Sequence, residues 1–390
     1  QRSIASSFDA LEKPGQKWHL MKYIGIAGNY LLMMFYTTVS AWMLQYFVDT
    51  AAGKFVGADS KRVETIFAEM KGEPVTMTGY MVIVVIIGFL VCSIGLQKGL
   101  ERITKVMMLA LLAIMAVLAV NSIFMKGGAE GLKFYLLPDL ENMQKVGVGK
   151  VIVGAMNQAF FTLSLGLGSM AIFGSYIDKK RSLMGEAVNV AILDTSVALT
   201  SGLIIFPACA AYDVAVDKGP DLIFVTLPNI FNDIPLGRLW GSLFFVFMSF
   251  AALSTVLAVF ENIISCSTDL FGISRKKACF INCILMIILS LPCILGFNVL
   301  SGIKPLGENS DIMGLEDFIV SNLLLPIGSL IFIVFCVSRY GWGWKNFMAE
   351  ANEGKGLKVQ NWMRGYMTYV LPVIVLLVFI VGIVDVVKGL

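Results

Sequence analysis

Nine apolar runs divide this chain, at residues 22–48, 78–97, 104–125, 149–176, 184–212, 238–268, 275–300, 317–338 and 363–387. Each has room to cross a hydrocarbon layer, which takes about 20 residues of helix. In a bilayer no water reaches the backbone, so such a run must satisfy its own N–H and C=O groups, and a helix does this. The alternation of polar and apolar residues that marks an outer-membrane barrel is absent. The pattern predicts an all-helical integral membrane protein, a single domain over residues 1–390 with no linker and no low-complexity tract.

Composition agrees. Hydrophobic residues make up 57% of the chain and charged residues 15%, with a mean hydropathy of +0.80. A soluble domain carries about 25% charged residues, so this chain has too few to cover a water-facing surface. The charges it has are placed unevenly. Lys98, Arg102 and Lys105 share one short connection, Lys179, Lys180 and Arg181 a second, and Arg275, Lys276 and Lys277 a third. Arg339, Lys345, Lys355, Lys358 and Arg364 lie in a fourth. With nine spans, all four fall on one side, and basic loops stay in the cytoplasm. The N-terminus is therefore expected inside and the C-terminus outside, in a multi-pass protein of the cell membrane. The opposite loops carry two apolar stretches, Lys133–Asp139 and Leu222–Asp233, suited to lie on the protein and cover an outer vestibule.

The seven cysteines stand singly, mostly within apolar runs, and suggest neither a disulfide framework nor a zinc site. His19, the single histidine, precedes the first span, so no metal cluster is expected from it and no histidine base lies inside a span. The first 21 residues are polar and mixed in charge, unlike a signal peptide. A net charge of +3 discriminates little among partners, and no nucleic-acid partner is expected.

Polar groups inside apolar spans are costly, which makes them the places to look for function. Gln158–Ser169, QAFFTLSLGLGS, sets Thr162 and Ser164 beside Gly166 and Gly168. Each glycine weakens a helix by about 1 kcal/mol relative to alanine. A break there would free carbonyls for a cation and N–H groups for a carboxylate, although small residues also serve close helix packing. Asp194 stands in AILDTSVALTSG, about a third of the way into an apolar helix, where it needs a partner or a cation. In FAALSTVLAVFE, Ala251, Ser254 and Thr255 share one helical face. Two hydroxyls and a carbonyl suit a hard monovalent cation, and equally the harmless capping of the helix's own carbonyls. Glu261, deeper in the same span, reads as a structural or a proton-linked acid.

These segments together resemble the bacterial neurotransmitter:sodium symporters, which have the leucine-transporter fold. FFTLSLGLG at 160–168 is similar to the family's unwound sixth helix, NYLLMMFYTTVSAW at 29–42 to its third, and FAALST at 250–255 to its eighth-helix sodium motif. Tyr176 and Asp269 lie fourteen residues beyond Thr162 and Thr255, where the family has its cytoplasmic gate. The resemblance runs from the family's third helix to its eleventh. It implies an inverted-repeat helical bundle and sodium-coupled symport of an amino acid by alternating access, with no enzymatic chemistry.

The resemblance also implies roles. Thr162 and Asp194 would ligate one sodium ion, and Ala251, Ser254 and Thr255 a second. Tyr36, Thr162, Ser164 and the backbone at Gly166 would hold the amino acid, with Leu32, Phe161, Leu167 and Val259 as an apolar wall. That wall offers nothing to a charged side chain, so a neutral, hydrophobic substrate is expected. Phe161 would be the outer lid, Asp317 the acid of the outer gate, and Tyr176 and Asp269 members of the inner gate. Eukaryotic members have a chloride-binding serine where this chain has Ala198, so Asp194 is expected to supply the negative charge and chloride not to be required. Nothing matches the family's first two helices, and Gln1 is not an initiator methionine, which suggests an N-terminal truncation. The alternative reading is a partial homologue that no longer transports because half of each sodium shell is missing. A hydrolase lacks a nucleophile–base constellation here, and a channel would want a repeated polar lining.

Overall fold

The computed structural model describes residues 4–95, 97–168, 170–171, 174, 177, 179–212, 216, 221–308 and 310–389, with backbone alone at residues 4–5, 97–104, 221 and 385–389. Every regular element among them is a helix. In chain order the principal ones are α1 (Ile4–Leu11), α2 (Met21–Ala52), α3 (Ser60–Gly72), α4 (Pro74–Ile94), α5 (Gln97–Phe124), α6 (Gly128–Leu136), α7 (Leu140–Val146) and α8 (Val148–Thr162). There follow α9 (Leu183–Tyr212), α10 (Thr226–Asp233), α11 (Gly237–Phe271), α12 (Arg275–Leu295), α13 (Ile312–Phe318), α14 (Leu325–Val337), α15 (Trp344–Ala351) and α16 (Leu371–Gly389). π-helical turns at Ile319–Leu324 and Tyr366–Val370 lead into α14 and α16.

Among the described residues, eight helical segments are long and apolar enough to cross a membrane: Trp18–Ala52, Pro74–Ile94, Lys105–Phe124, Leu183–Tyr212, Gly237–Phe271, Arg275–Leu295, Ile312–Val337 and Met363–Val384. The chain is a multi-pass membrane protein. The run 149–176 differs, because its helix, α8, stops after 15 residues. The run expected from residue 317 starts earlier, at Ile312. There the Asp311 carboxylate caps α13 by accepting from the Gly314 N–H at 2.7 Å, a bond that apolar patterning does not register.

Helix α2 is the centre of the bundle and packs on α11, α4 and α12. Its inward residues Met33, Trp42 and Tyr46 are fully buried. The Trp42 ring meets Phe67, Phe224 and Phe297 edge-on, with centroids 5.4–5.6 Å apart. Between α4 and α11, Phe89 stacks on Phe260 at 4.0 Å. A second, smaller cluster gathers Phe35, Phe160, Leu167, Val320, Leu325, Val375 and Val378 from α2, α8, the π turn, α14 and α16.

The two apolar loop stretches part ways. Leu222–Asp233 includes α10, whose Leu227, Ile230 and Phe231 are buried in the main core. Lys133–Asp139 lies partly on α6, where Tyr135 stacks on Phe206 of α9 at 4.8 Å while Phe134, Leu136 and Leu137 remain exposed.

The segment before α2 is strapped down. Phe8 sits against Phe332 and Phe335, Trp18 Nε1 donates to the Tyr340 carbonyl at 2.9 Å, and Lys13 Nζ donates to the Arg339 carbonyl at 3.0 Å. Here the folded chain adds something the sequence spacing does not suggest, bringing His19 together with Asp9 and Glu12. His19 Nδ1 is 2.8 Å from Glu12 Oε1, and Lys22 Nζ is 3.8 Å from Asp9. Burial pushes the Glu12 carboxyl up, but the hydrogen bonds and charge of His19 outweigh it and hold the group below its usual range.

Candidate functional site

The chemistry expected around residues 158–169 rests on a helix that stops, and the contacts show why it stops. After Thr162 the backbone turns left-handed at Ser164 (φ 50°), Gly166 (φ 86°) and Gly168 (φ 86°). A Cβ on Gly166 would lie 2.3 Å from the Leu325 carbonyl oxygen and 2.8 Å from the Ser329 nitrogen, both on α14. From the other side, a Cβ on Gly328 would lie 2.1 Å from the Gly166 carbonyl oxygen. Backbone meets backbone here, and only glycine on both sides allows it. Ser164 has a Cβ and pays about 1–2 kcal/mol for its left-handed turn. Such strain persists where the surroundings fix it, and it gathers at ligand clamps.

Helix α2 holds the same segment from another direction. Asn29 is buried, and its Nδ2 donates to the Leu167 carbonyl at 3.3 Å as well as to Gly25 of its own helix at 2.6 Å. A Cβ on Gly28 would come 2.3 Å from Leu167 Cδ2. Asn29, Gly28 and Gly328 are not among the residues that the sequence pattern marks as candidates. The available signal was an amide beside small residues in an apolar run, since a buried amide there needs a partner.

The polar candidates fall into two groups. Thr162 Oγ1 donates to Asp194 Oδ1 at 2.8 Å, joining the end of α8 to α9. On α11, Ser254 Oγ donates to the Ala251 carbonyl at 2.7 Å, and Thr255 lies against the Tyr36 hydroxyl of α2. Tyr36 thus links the Ala251–Thr255 face with the expected substrate wall. Of that wall, Leu32, Tyr36, Phe161 and Leu167 all belong to the second apolar cluster or pack against it. The Phe161 ring stacks on Phe35, with centroids 6.5 Å apart. Val259 is buried in the main core, which Leu32 and Tyr36 also border.

Of the expected gate residues, Phe161 packs against this cluster, and the two acids have partners of their own. Asp269, near the end of α11, accepts from Ser6 Oγ at 3.1 Å. Asp317, near the end of α13, accepts from Ser321 Oγ at 2.7 Å. Tyr176 lies outside the described residues. Glu261 has a structural partner, because its Oε1 accepts from Arg275 Nη1 at 2.7 Å while Arg275 Nε donates to the Cys92 carbonyl at 3.1 Å. All seven cysteines are free thiols.

The arrangement has the chemistry of a small-ion and small-molecule site. Carboxylate, hydroxyl and main-chain oxygens are hard ligands, and an irregular backbone is tolerated at membrane depth only inside protein or along a cavity. Comparison with known proteins agrees. The model of the "Sodium:neurotransmitter symporter family" matches residues 58–389. The chain is 30% identical over 386 residues to a Bacillus subtilis protein described as "Uncharacterized sodium-dependent transporter YhdH", covering 97% of this chain and 83% of that one. A rat sodium- and chloride-dependent taurine transporter is 25% identical over 224 residues, 55% of this chain and 36% of its own. Among solved structures, MhsT in complex with L-phenylalanine superposes with a TM-score of 0.89 at 32% identity, over 98% of this chain and 85% of its own. The fold is therefore the leucine-transporter bundle, and the chain belongs to the sodium:neurotransmitter symporter family.

Proposed function

We propose that this protein couples the sodium gradient to symport of a neutral, hydrophobic amino acid by alternating access. The observation that carries the reading is the meeting of three features at the broken segment. These are the left-handed turns at Ser164–Gly168, the Thr162–Asp194 pair, and Tyr36 standing between Thr255 and the apolar cluster with Phe161 and Leu167. MhsT, a solved relative, was crystallised with L-phenylalanine, an amino acid of this class.

In this reading Thr162 and Asp194 ligate one sodium ion beside the substrate carboxylate, and the Ala251 carbonyl, Ser254 and Thr255 ligate another. Tyr36, Ser164 and the main chain at Gly166 orient the amino acid, while Leu32, Phe161, Leu167 and Val259 receive its side chain. Phe161 closes the outer side, with Asp317 at the outer gate and Asp269 and Tyr176 at the inner one. Ion binding organises the broken segment, and the bundle then rocks to open the site inward. Each charge moved across 100 mV contributes about 2.3 kcal/mol. The basic connections face the cytoplasm, so the N-terminal end of this chain lies inside and the C-terminal end outside.

The experiment is uptake of labelled phenylalanine into proteoliposomes under an inward sodium gradient, with competing amino acids. Uptake should need sodium and be suppressed by leucine or tryptophan more than by lysine or glutamate. The opposite order of competition would overturn the substrate class. Asp194 supplies the fixed negative charge and Ala198 replaces the chloride-binding serine, so exchanging chloride for gluconate should leave uptake unchanged; a loss of uptake would refute chloride independence.

A further inference from the structure

One acid in the bundle has no role in this scheme and, among the described residues, no basic partner. Glu316, in the last turn of α13, is 3% exposed, and neither carboxylate oxygen has a hydrogen-bond partner. It lies in the seam where α13 packs on α2 and α12. From α12 comes the Cys293 thiol, which lies beside the carboxyl and also against Thr38 of α2. The other acids nearby are committed elsewhere. Asp311 accepts from the Gly314 N–H at 2.7 Å, and Asp317 accepts from Ser321 Oγ at 2.7 Å. Among the described residues no lysine or arginine reaches Glu316.

An ionised carboxylate held dry and unpaired is among the costliest groups a protein can bury. Either a cation or a proton must relieve it. A hard cation takes about six oxygen ligands, whereas the side chain beside the carboxyl is a soft thiol. A proton needs only the carboxyl. The seam also adjoins a π-helical turn, Ile319–Leu324, an element often found at functional sites.

We propose that Glu316 is a proton-binding site, its side chain a neutral carboxylic acid when α13 is packed against α2 and α12. Proton occupancy is then linked to that packing. Opening the seam to water lets the proton leave to solvent, and raising the pH favours the opened or unfolded forms that have lost it. The site is independent of which substrate the protein carries, and its test needs no transport.

The purified full chain in detergent, at neutral pH in deuterated buffer, is compared with E316Q by infrared spectroscopy. A protonated-carboxyl band present in the wild type and lost in E316Q is the expected result. E316Q has the shape of the neutral acid and no proton to lose, so it should melt no lower than the wild type at neutral pH and lose less stability on alkalinisation. C293S, measured alongside, removes the thiol as the other titrating group and shifts the carboxyl band by changing its neighbour. Should E316Q fail to fold, the C293S spectrum decides, a shifted band supporting the site and an unshifted one overturning it. Identical carboxyl regions in wild type and folded E316Q would likewise overturn it.

Discussion

The two groups of polar candidates are built into the bundle in different ways. On one side, α11 lies along α2, and the Ala251–Thr255 face is backed by Val256, Leu257, Val259 and Phe260, all buried. On the other, α8 meets α9 through the Thr162–Asp194 bond, while α9 turns Ile192, Leu193 and Leu199 outward. The first side is positioned by close packing over several helical turns, where a lost methylene is felt. At the second, a single hydrogen bond ties the polar pair. Beyond the bonds that the Ser164 and Leu165 N–H groups make to the Phe161 and Phe160 carbonyls at the end of α8, the broken segment is held by α2 and α14, through Asn29, Gly28 and Gly328. The left-handed turns of the segment are therefore held chiefly from the packed side.

The largest effect should come from the packed side. Trp42 touches three aromatic rings and is fully buried, so Trp42→Ala should cost about 3–5 kcal/mol. Thermal unfolding in detergent measures it. A melting temperature near that of the wild type would mean that α2 is not the centre the packing indicates.

Next comes the contact between the two sides. Gly328→Ala sets a methyl group 2.1 Å from the Gly166 carbonyl oxygen, so one backbone must move. Overpacking of this kind costs about 1–3 kcal/mol, and the displaced partner is the segment proposed to hold substrate. Substrate binding should suffer more than stability. A variant that melts early yet binds phenylalanine as tightly as wild type would show that the segment's conformation is not set by α14.

How much of this was legible in the chain varies with how local each feature is. Eight of the nine apolar runs overlap long helices among the described residues, because a 20-residue apolar stretch needs no partner to declare itself. The left-handed turns fall on Gly166 and Gly168, residues the pattern marks as weak helix formers. Ser254 and Ala251 share a face by helical spacing alone. What could not be read was the approach of distant segments. Asn29 and Leu167 are 138 residues apart, and Gly328 reads as an ordinary small residue until Gly166 is placed against it. Glu261 looked equally fit for proton chemistry and for structure, and Arg275, supplied by the next helix, makes it structural. Glu316 drew no attention, since next to Asp317 it reads as one more acid at the end of a span.

On the exposed side, Asp194→Ala should weaken sodium activation of uptake at least tenfold, about 1.4 kcal/mol, with little change in melting temperature. The pair it breaks is solvent-accessible, and such pairs contribute little to stability. Unchanged sodium dependence would remove Asp194 from the ion site; a large loss of stability would mean that the pair is structural.

The smallest effect is the sharpest test, because it compares one substitution at two places. Leu257 on α11 is 7% exposed and Leu193 on α9 is 65% exposed. Leu257→Ala opens a cavity in a packed core and should cost about 2–5 kcal/mol. Leu193→Ala removes surface that faces outward. In a membrane, lipid tails are as apolar as leucine, so the change should stay within about 0.5 kcal/mol. Unfolding of both variants in the same lipid decides the matter. Equal losses would mean that α9 is as tightly packed as α11. The contrast between a side held by packing and a side held by one hydrogen bond would then fail, and with it the reason for assigning the strain at Ser164–Gly168 to α2 and α14.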